Sequence, residues 1–307
     1  MSTMAVTVAD HRGQAEPIAR QNLQRYEERA VVLRKESLAL LGILTVPDGL
    51  AASAGVLIVP GGAQNRVGSR RQFVDLARRL AQAGIASLRI DLAGMGDSPG
   101  ELPSFEQAGP SLALAIHSLC NLVDGVNSVM LWGLCDGASA ALLFPDEELP
   151  PVLCAIVGVN PWARSPQGQA RAQLQTHYLV RLRSWDFWRN LLQARKVGWA
   201  GVIEFCQAIR ASRNGAKPGS GDELPERIAR SIGRLRIPML FICGSRDPTG
   251  AEFMIQMRRR RALSGHFVRL IELPDADHSI SAASDWVLVV DTTVSFLRES
   301  ISLHSVR

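Results

Sequence analysis

Short apolar runs and longer amphipathic ones alternate along this chain. Gly55–Pro60, Ile85–Ile90, Val129–Leu134, Val152–Val159, Pro238–Cys243 and Phe267–Leu273 are short, continuous and apolar. Runs of this kind predict strands buried on both faces of a parallel sheet. Between them the spacing turns helical. Phe73, Leu76, Ala77 and Leu80 recur at i, i+3, i+4 and i+7, and Gly84 ends that segment. Further helices are expected over residues 104–124, from Asp136 to Leu143, and over residues 249–263 and 284–301. Near the start, Ala30–Arg34 and Ala39–Val46 are rich in β-formers and stop at Pro47-Asp48-Gly49, which predicts an antiparallel pair closed by a turn.

Strands that alternate with helices imply right-handed crossovers. The expected fold is therefore α/β, with a mostly parallel, eight-stranded sheet and helices on both faces. The alternation stops after Asn160-Pro161 and resumes near Pro238. The stretch between carries Trp185, Phe187, Trp188 and Trp199, and a breaker-rich run, Asn214–Gly221. The expected organisation is a loose segment over residues 1–28, a first core part over 29–161, a helical cap insertion over 162–235, and a second core part over 236–307. The cap tryptophans either form the cap's own core or line an apolar acyl site.

Composition narrows the setting. A length of 307 residues suits one core plus an insertion. Apolar residues make up 47% and charged residues 21%, which is ordinary globular composition. No run approaches the roughly 20 apolar residues of a membrane helix, and the first twenty residues hold no apolar signal core. Five cysteines, an odd number in apolar surroundings, suit a reducing compartment and a cytoplasmic location. The net charge of +5 owes much to Arg258–Arg261, read as a solvated helix face. Without interleaved aromatics it does not suggest a nucleic-acid partner. No cofactor or metal is implied, and the oligomeric state is left open.

The chemistry concentrates at Gly133-Leu134-Cys135-Asp136-Gly137, which ends a strand and opens a helix. This is a G-x-S-x-G nucleophile elbow with cysteine in place of serine. The small neighbours permit a tight turn that exposes Cys135 near a helix N-terminus, where positive partial charge favours a thiolate. Cys120, Cys154, Cys206 and Cys243 are expected to be structural. A thiol nucleophile needs a base, and the chain order of such folds is nucleophile, acid, histidine. His278 follows the last expected strand and Asp247 follows the one before it. Asp247 would orient the imidazole, although it also suits a helix cap. The oxyanion donors expected are the backbone N–H of Asp136 and that of Ala63, with Gly62 as the alternative. Gly62 and Arg66 are candidate substrate contacts. Arg66 either meets an anionic group or is a solvated surface residue. Asp91 and Asp97 are expected to tie their loop together.

Residues 29–303 resemble the α/β-hydrolase superfamily. More narrowly, Gly61–Phe73, Gly94–Ser98 and Gly133–Asp136 resemble exosortase A system-associated hydrolase 1, a bacterial family. That resemblance implies an association with exosortase and exopolysaccharide systems and leaves the substrate undefined. Position 63, often proline in that pattern, is Ala here and retains its N–H. The expected activity is hydrolysis of a small acyl ester or thioester through a covalent acyl-enzyme. Transfer of the acyl group to an amine or sugar, or a catalytically silent binding module, are the competing readings.

Overall fold

The computed structural model describes residues 25–49, 52–62, 64–145, 149–163, 223–265 and 267–304. Its sheet contains β1 (Tyr26–Lys35), β2 (Leu38–Pro47), β3 (Ala54–Val59), β4 (Ala86–Ile90), β5 (Ser128–Leu134), β6 (Leu153–Val159), β7 (Met239–Gly244) and β8 (Val268–Leu273). The strand order is β1-β2-β4-β3-β5-β6-β7-β8. Only β2 runs antiparallel to its neighbours, β1 and β4; every other pairing is parallel. The eight-stranded, mostly parallel sheet matches the sequence expectation.

Pleating sends alternate residues of each central strand to opposite faces. Leu57, Leu131, Ile156 and Phe241 join one apolar cluster, while Val56, Ile58, Met130, Trp132 and Leu240 join the other. This is why β3, β5 and β7 are buried at every position: both faces are covered. The edges differ. β1 buries only Leu33, and β8 only Leu273.

Six α-helices are described: α1 (Gln72–Gln82), α2 (Gly109–Leu122), α3 (Asp136–Leu142), α4 (Leu224–Arg234), α5 (Pro248–Arg259) and α6 (Ala283–His304). On the second face, Trp132 lies edge-on to both Phe73 of α1 and Trp286 of α6, and its indole N–H donates to the Thr293 hydroxyl. These contacts fix α1 and α6 against the central strand. No helix among the described residues is long and apolar enough to cross a membrane.

Three boundaries differ from the sequence reading. β1 begins at Tyr26, inside the segment expected to be loose, because Glu28 pairs with Arg78 and Arg89 while Arg78 lies over the Tyr26 ring. The single helix expected over 104–124 is a 3-10 turn, Phe105–Gln107, followed by α2. Pro110 is the reason: it lacks an N–H and fits only a first helical turn, so the α-helix starts there. α4, at the end of the predicted cap stretch, packs on the sheet layers. Ile228 and Ile232 are buried in the core, and Ser231 donates to the Leu142 carbonyl. The cap aromatics, Trp185, Phe187, Trp188 and Trp199, lie outside the described residues.

Candidate active site

The C-terminal edge of the sheet gathers the chemistry-bearing residues. At the end of β5, Cys135 has φ 57° and ψ −124°, a conformation that non-glycine residues rarely adopt. Such strain persists only where surrounding bonds over-determine it. Here the Cys135 N–H donates to the Val159 carbonyl at 2.9 Å, and its own carbonyl accepts from Ala138 at 3.1 Å and Trp162 at 3.2 Å. The flanking glycines are steric requirements. A Cβ on Gly133 would sit 2.5 Å from the Ala138 nitrogen, and one on Gly137 would sit 2.6 Å from the carbonyl oxygens of Val59 and Pro60. The sharp turn leaves Cys135 partly exposed.

Asp247 follows β7 and His278 follows β8. His278 Nδ1 lies 3.1 Å from Asp247 Oδ2, in an ion-pair contact that falls short of a well-aligned hydrogen bond. Looseness of that order is ordinary before substrate binds. The ring also meets the Cys135 thiol. The proximity of Asp247 first, then of Cys135, lifts the His278 pKa to about 10, against the opposing effect of burial. The imidazole is therefore held in its charged form at neutral pH. Asp247 is buried and serves the helix cap as well, accepting from the N–H groups of Thr249 at 3.1 Å and Gly250 at 2.8 Å, with Pro248 in the first turn. The cap bonds hold the carboxylate beside the His278 ring.

Two residues matter here in ways the sequence reading missed. Asn160, fully buried at the end of β6, donates through Nδ2 to the carbonyls of His278 (2.9 Å) and Asp277 (3.4 Å), and accepts from the Gly244 N–H at 2.8 Å. One amide thereby ties the histidine loop to the end of β7, where the Asp247 turn begins. Its φ of 44° is one that Asn and Gly tolerate best. The second is the Asp136 side chain. Its carboxylate accepts from the Gly62 N–H and also lies against the N–H groups of Asp136 and Gly137, while burial raises its pKa. The signal was present: an acidic residue directly after the elbow cysteine.

The remaining candidates are distributed as follows. Gly61 lies against the end of β5, where an added Cβ would be 2.0 Å from the Leu134 carbonyl oxygen, so the glycine loop does face the elbow. Gly62 is there with its N–H engaged by Asp136. Ala63 lies outside the described residues. Arg66 bonds to Asp91 and to Asp97 through its guanidinium, and its N–H donates to Asp91 at 2.6 Å. Asp91 is buried, so this pairing ties two loops together and leaves Arg66 committed within the protein. Burial raises the thiol pKa of Cys120, of Cys154 to about 12, and of Cys243 further still. Cys206 lies outside the described residues. Among the described residues no cluster of three or more His, Cys, Asp or Glu side chains is disposed to hold a metal ion.

An elbow on a central parallel strand, followed along the chain by a carboxylate and a histidine at later strand ends, defines an α/β hydrolase. The sequence matches the profile of the alpha/beta hydrolase family over residues 56–292, and the chain belongs to that family. A search of curated proteins returns no significant match. Among solved structures, an esterase of Pyrococcus furiosus superposes with a TM-score of 0.61 at 16% identity, covering 89% of this chain and 91% of that one. A dienelactone hydrolase of Anabaena variabilis gives 0.58 at 18% identity, covering 89% and 98%. Est1E of Butyrivibrio proteoclasticus, with ferulic acid bound, gives 0.59 at 17% identity, covering 89% and 100%. These similarities establish the shared fold.

Proposed function

We propose that the protein hydrolyses a small acyl ester or thioester through a covalent acyl-enzyme on Cys135. The observation that carries this reading is a cysteine at a strained, partly exposed turn in contact with His278, whose ring meets a buried carboxylate at 3.1 Å. In the first step His278 holds the proton taken from the thiol and the Cys135 sulfur attacks the substrate carbonyl carbon. The oxyanion is stabilised by the backbone N–H of Asp136 and by a donor from the glycine loop, Ala63 or Gly62. A carbonyl oxygen using the Gly62 or the Asp136 donor has to displace the Asp136 carboxylate from it. His278 then passes its proton to the leaving group, and the acyl-enzyme is cleared by water that gives a proton to His278. Asp247 keeps the imidazole oriented throughout. The resemblance in Gly61–Phe73 and the cysteine elbow supports a place beside bacterial exosortase and exopolysaccharide systems.

The test is direct. Cys135→Ala is expected to abolish turnover of a short-chain thioester or aryl ester while circular dichroism and melting stay those of a folded protein. Retained turnover would reject the nucleophile. Near neutral pH, iodoacetamide is expected to label Cys135 ahead of the buried Cys154 and Cys243.

A further inference from the structure

The Asp136 side chain has no step in the acyl chemistry described above, yet it sits where that chemistry needs room. Its Oδ1 accepts from the Gly62 N–H, and the carboxylate also lies against the N–H groups of Asp136 and Gly137. Two of these donors, on Gly62 and Asp136, are the ones available to a substrate oxyanion. The glycine loop is shaped for the contact. A Cβ on Gly61 would lie 2.7 Å from Asp136 Oδ1, so the absence of a side chain there leaves the carboxylate its place. Burial raises the Asp136 pKa, while the N–H contacts and the charge of His278 oppose that rise. The same donors and the same imidazolium would stabilise an oxyanion formed on a substrate.

The strengths of these bonds set the order in which the donors are used. Hydrogen bonds to a charged acceptor are roughly twice as strong as those to a neutral one. A resting carboxylate therefore holds the donors against the carbonyl oxygen of an ester or thioester, which is neutral. The balance changes as the thiolate attacks, because the carbonyl oxygen then takes on the negative charge. After deacylation the product acid ionises, and its carboxylate could hold the same N–H groups. Asp136 competes with it from the same chain, and a tethered group acts at an effective concentration in the millimolar range. Asp136 is only partly buried, so its displaced carboxylate can reach water.

We propose that the Asp136 carboxylate is a tethered occupant of the oxyanion hole, which gives up its N–H donors to the developing oxyanion of the substrate and retakes them from the acid product. Its part in turnover rests on the acyl-transfer reading; its hold on Gly62 does not. Kinetics on an aryl butyrate test the first. Asp136→Ala should raise kcat/KM about tenfold or more, the worth of one hydrogen bond to a charged group. Asp136→Asn should raise it less, since a neutral amide oxygen is a weaker acceptor in the same place. Butyrate should inhibit Asp136→Ala at concentrations about tenfold lower than it inhibits the parent. Asp136→Asn keeps the shape and an acceptor, so it carries the test even where the alanine variant melts lower. A carboxylate that only ties the glycine loop to the elbow predicts no gain in kcat/KM in either variant. That result, or equal inhibition by butyrate, would overturn the proposal.

Amide exchange tests the second without turnover. Gly62 is exposed. In the Cys135→Ala protein its N–H should exchange about tenfold or more slowly than in the protein that also carries Asp136→Ala. Equal exchange in the two proteins likewise rejects the occupant. Slow exchange that depends on Asp136, with no turnover of an ester or thioester by parent or variants, upholds the occupant and counts against the acyl-transfer reading.

Discussion

Arg66 and Arg71 leave the same loop and meet opposite surroundings. Arg66 turns inward, where Asp91 is fully buried and Asp97 closes over it, so its charge joins the loops after β3 and β4. Arg71 is exposed, at a cavity wall it shares with Arg70 and Arg78. The local sequence does not distinguish them, since both sit among Gly, Ser and other polar residues. What separates them is the chain that arrives from elsewhere: carboxylates for one, none for the other. The inner region, including the Cys135 centre, is closed by partners within the protein. Arg71, on the outer side, has no ionic partner among the described residues. Perturbations of the inner region should therefore affect folding and turnover, and those at Arg71 should affect them little.

The largest expected effect tests the inner region at its carboxylate. Asp247→Asn should lower kcat by about 10⁴-fold, as expected when a histidine loses the partner that fixes its tautomer. It should also make stability respond differently to pH. The folded His278 pKa, about 10, lies above the unfolded value near 6.5. The stabilisation it confers is therefore complete below about pH 6.5 and lost as pH rises through about 10. Denaturant melts of parent and variant should differ most at the acidic end of that window and converge at its alkaline end.

Next in size is Asn160→Ala. It removes the acceptor of the Gly244 N–H and the donor to the His278 carbonyl, leaving buried groups unmatched at about 1–3 kcal/mol each. Urea melts should show that loss, and kcat should fall more than KM changes, because the histidine loop loses its brace to β7. Arg66→Ala follows. It removes the guanidinium from the buried Asp91, which keeps only the N–H groups of residues 66 and 97, and breaking a buried pair in this way costs about 3 kcal/mol. If the variant melts like the parent, the contrast between Arg66 and Arg71 collapses.

The smallest effect has the opposite sign. Arg71→Gly should stabilise the fold by up to about 1 kcal/mol. It relieves a left-handed residue, worth about 1–2 kcal/mol, against the entropy that glycine adds to the unfolded chain. A loss of stability instead would mean that Arg71 has a structural partner and belongs with the inner region.

Much of this arrangement was open to inspection in the linear chain. The parallel strands, the elbow at Cys135, and the sites of Asp247 and His278 after later strands follow from periodicity and from motif order, which are local properties. The helix expected over 104–124 was misjudged because apolar spacing runs straight through Pro110, and only the missing N–H breaks it. Arg66 was weighed as a substrate contact because its aspartates lie 25 and 31 residues away. Asn160 was noted only as the point where the alternation stops, because its partners lie 84 and 118 residues away.

Strand and helix type, the strained turn and the order of reactive residues were properties of the chain alone, since each depends on neighbours within a few positions. Tertiary structure alone decided which charges are matched, and that one asparagine spans two loops. A parallel sheet brings together, at one edge, loops that are distant in sequence, and hydrogen-bond partners are chosen there by distance in space.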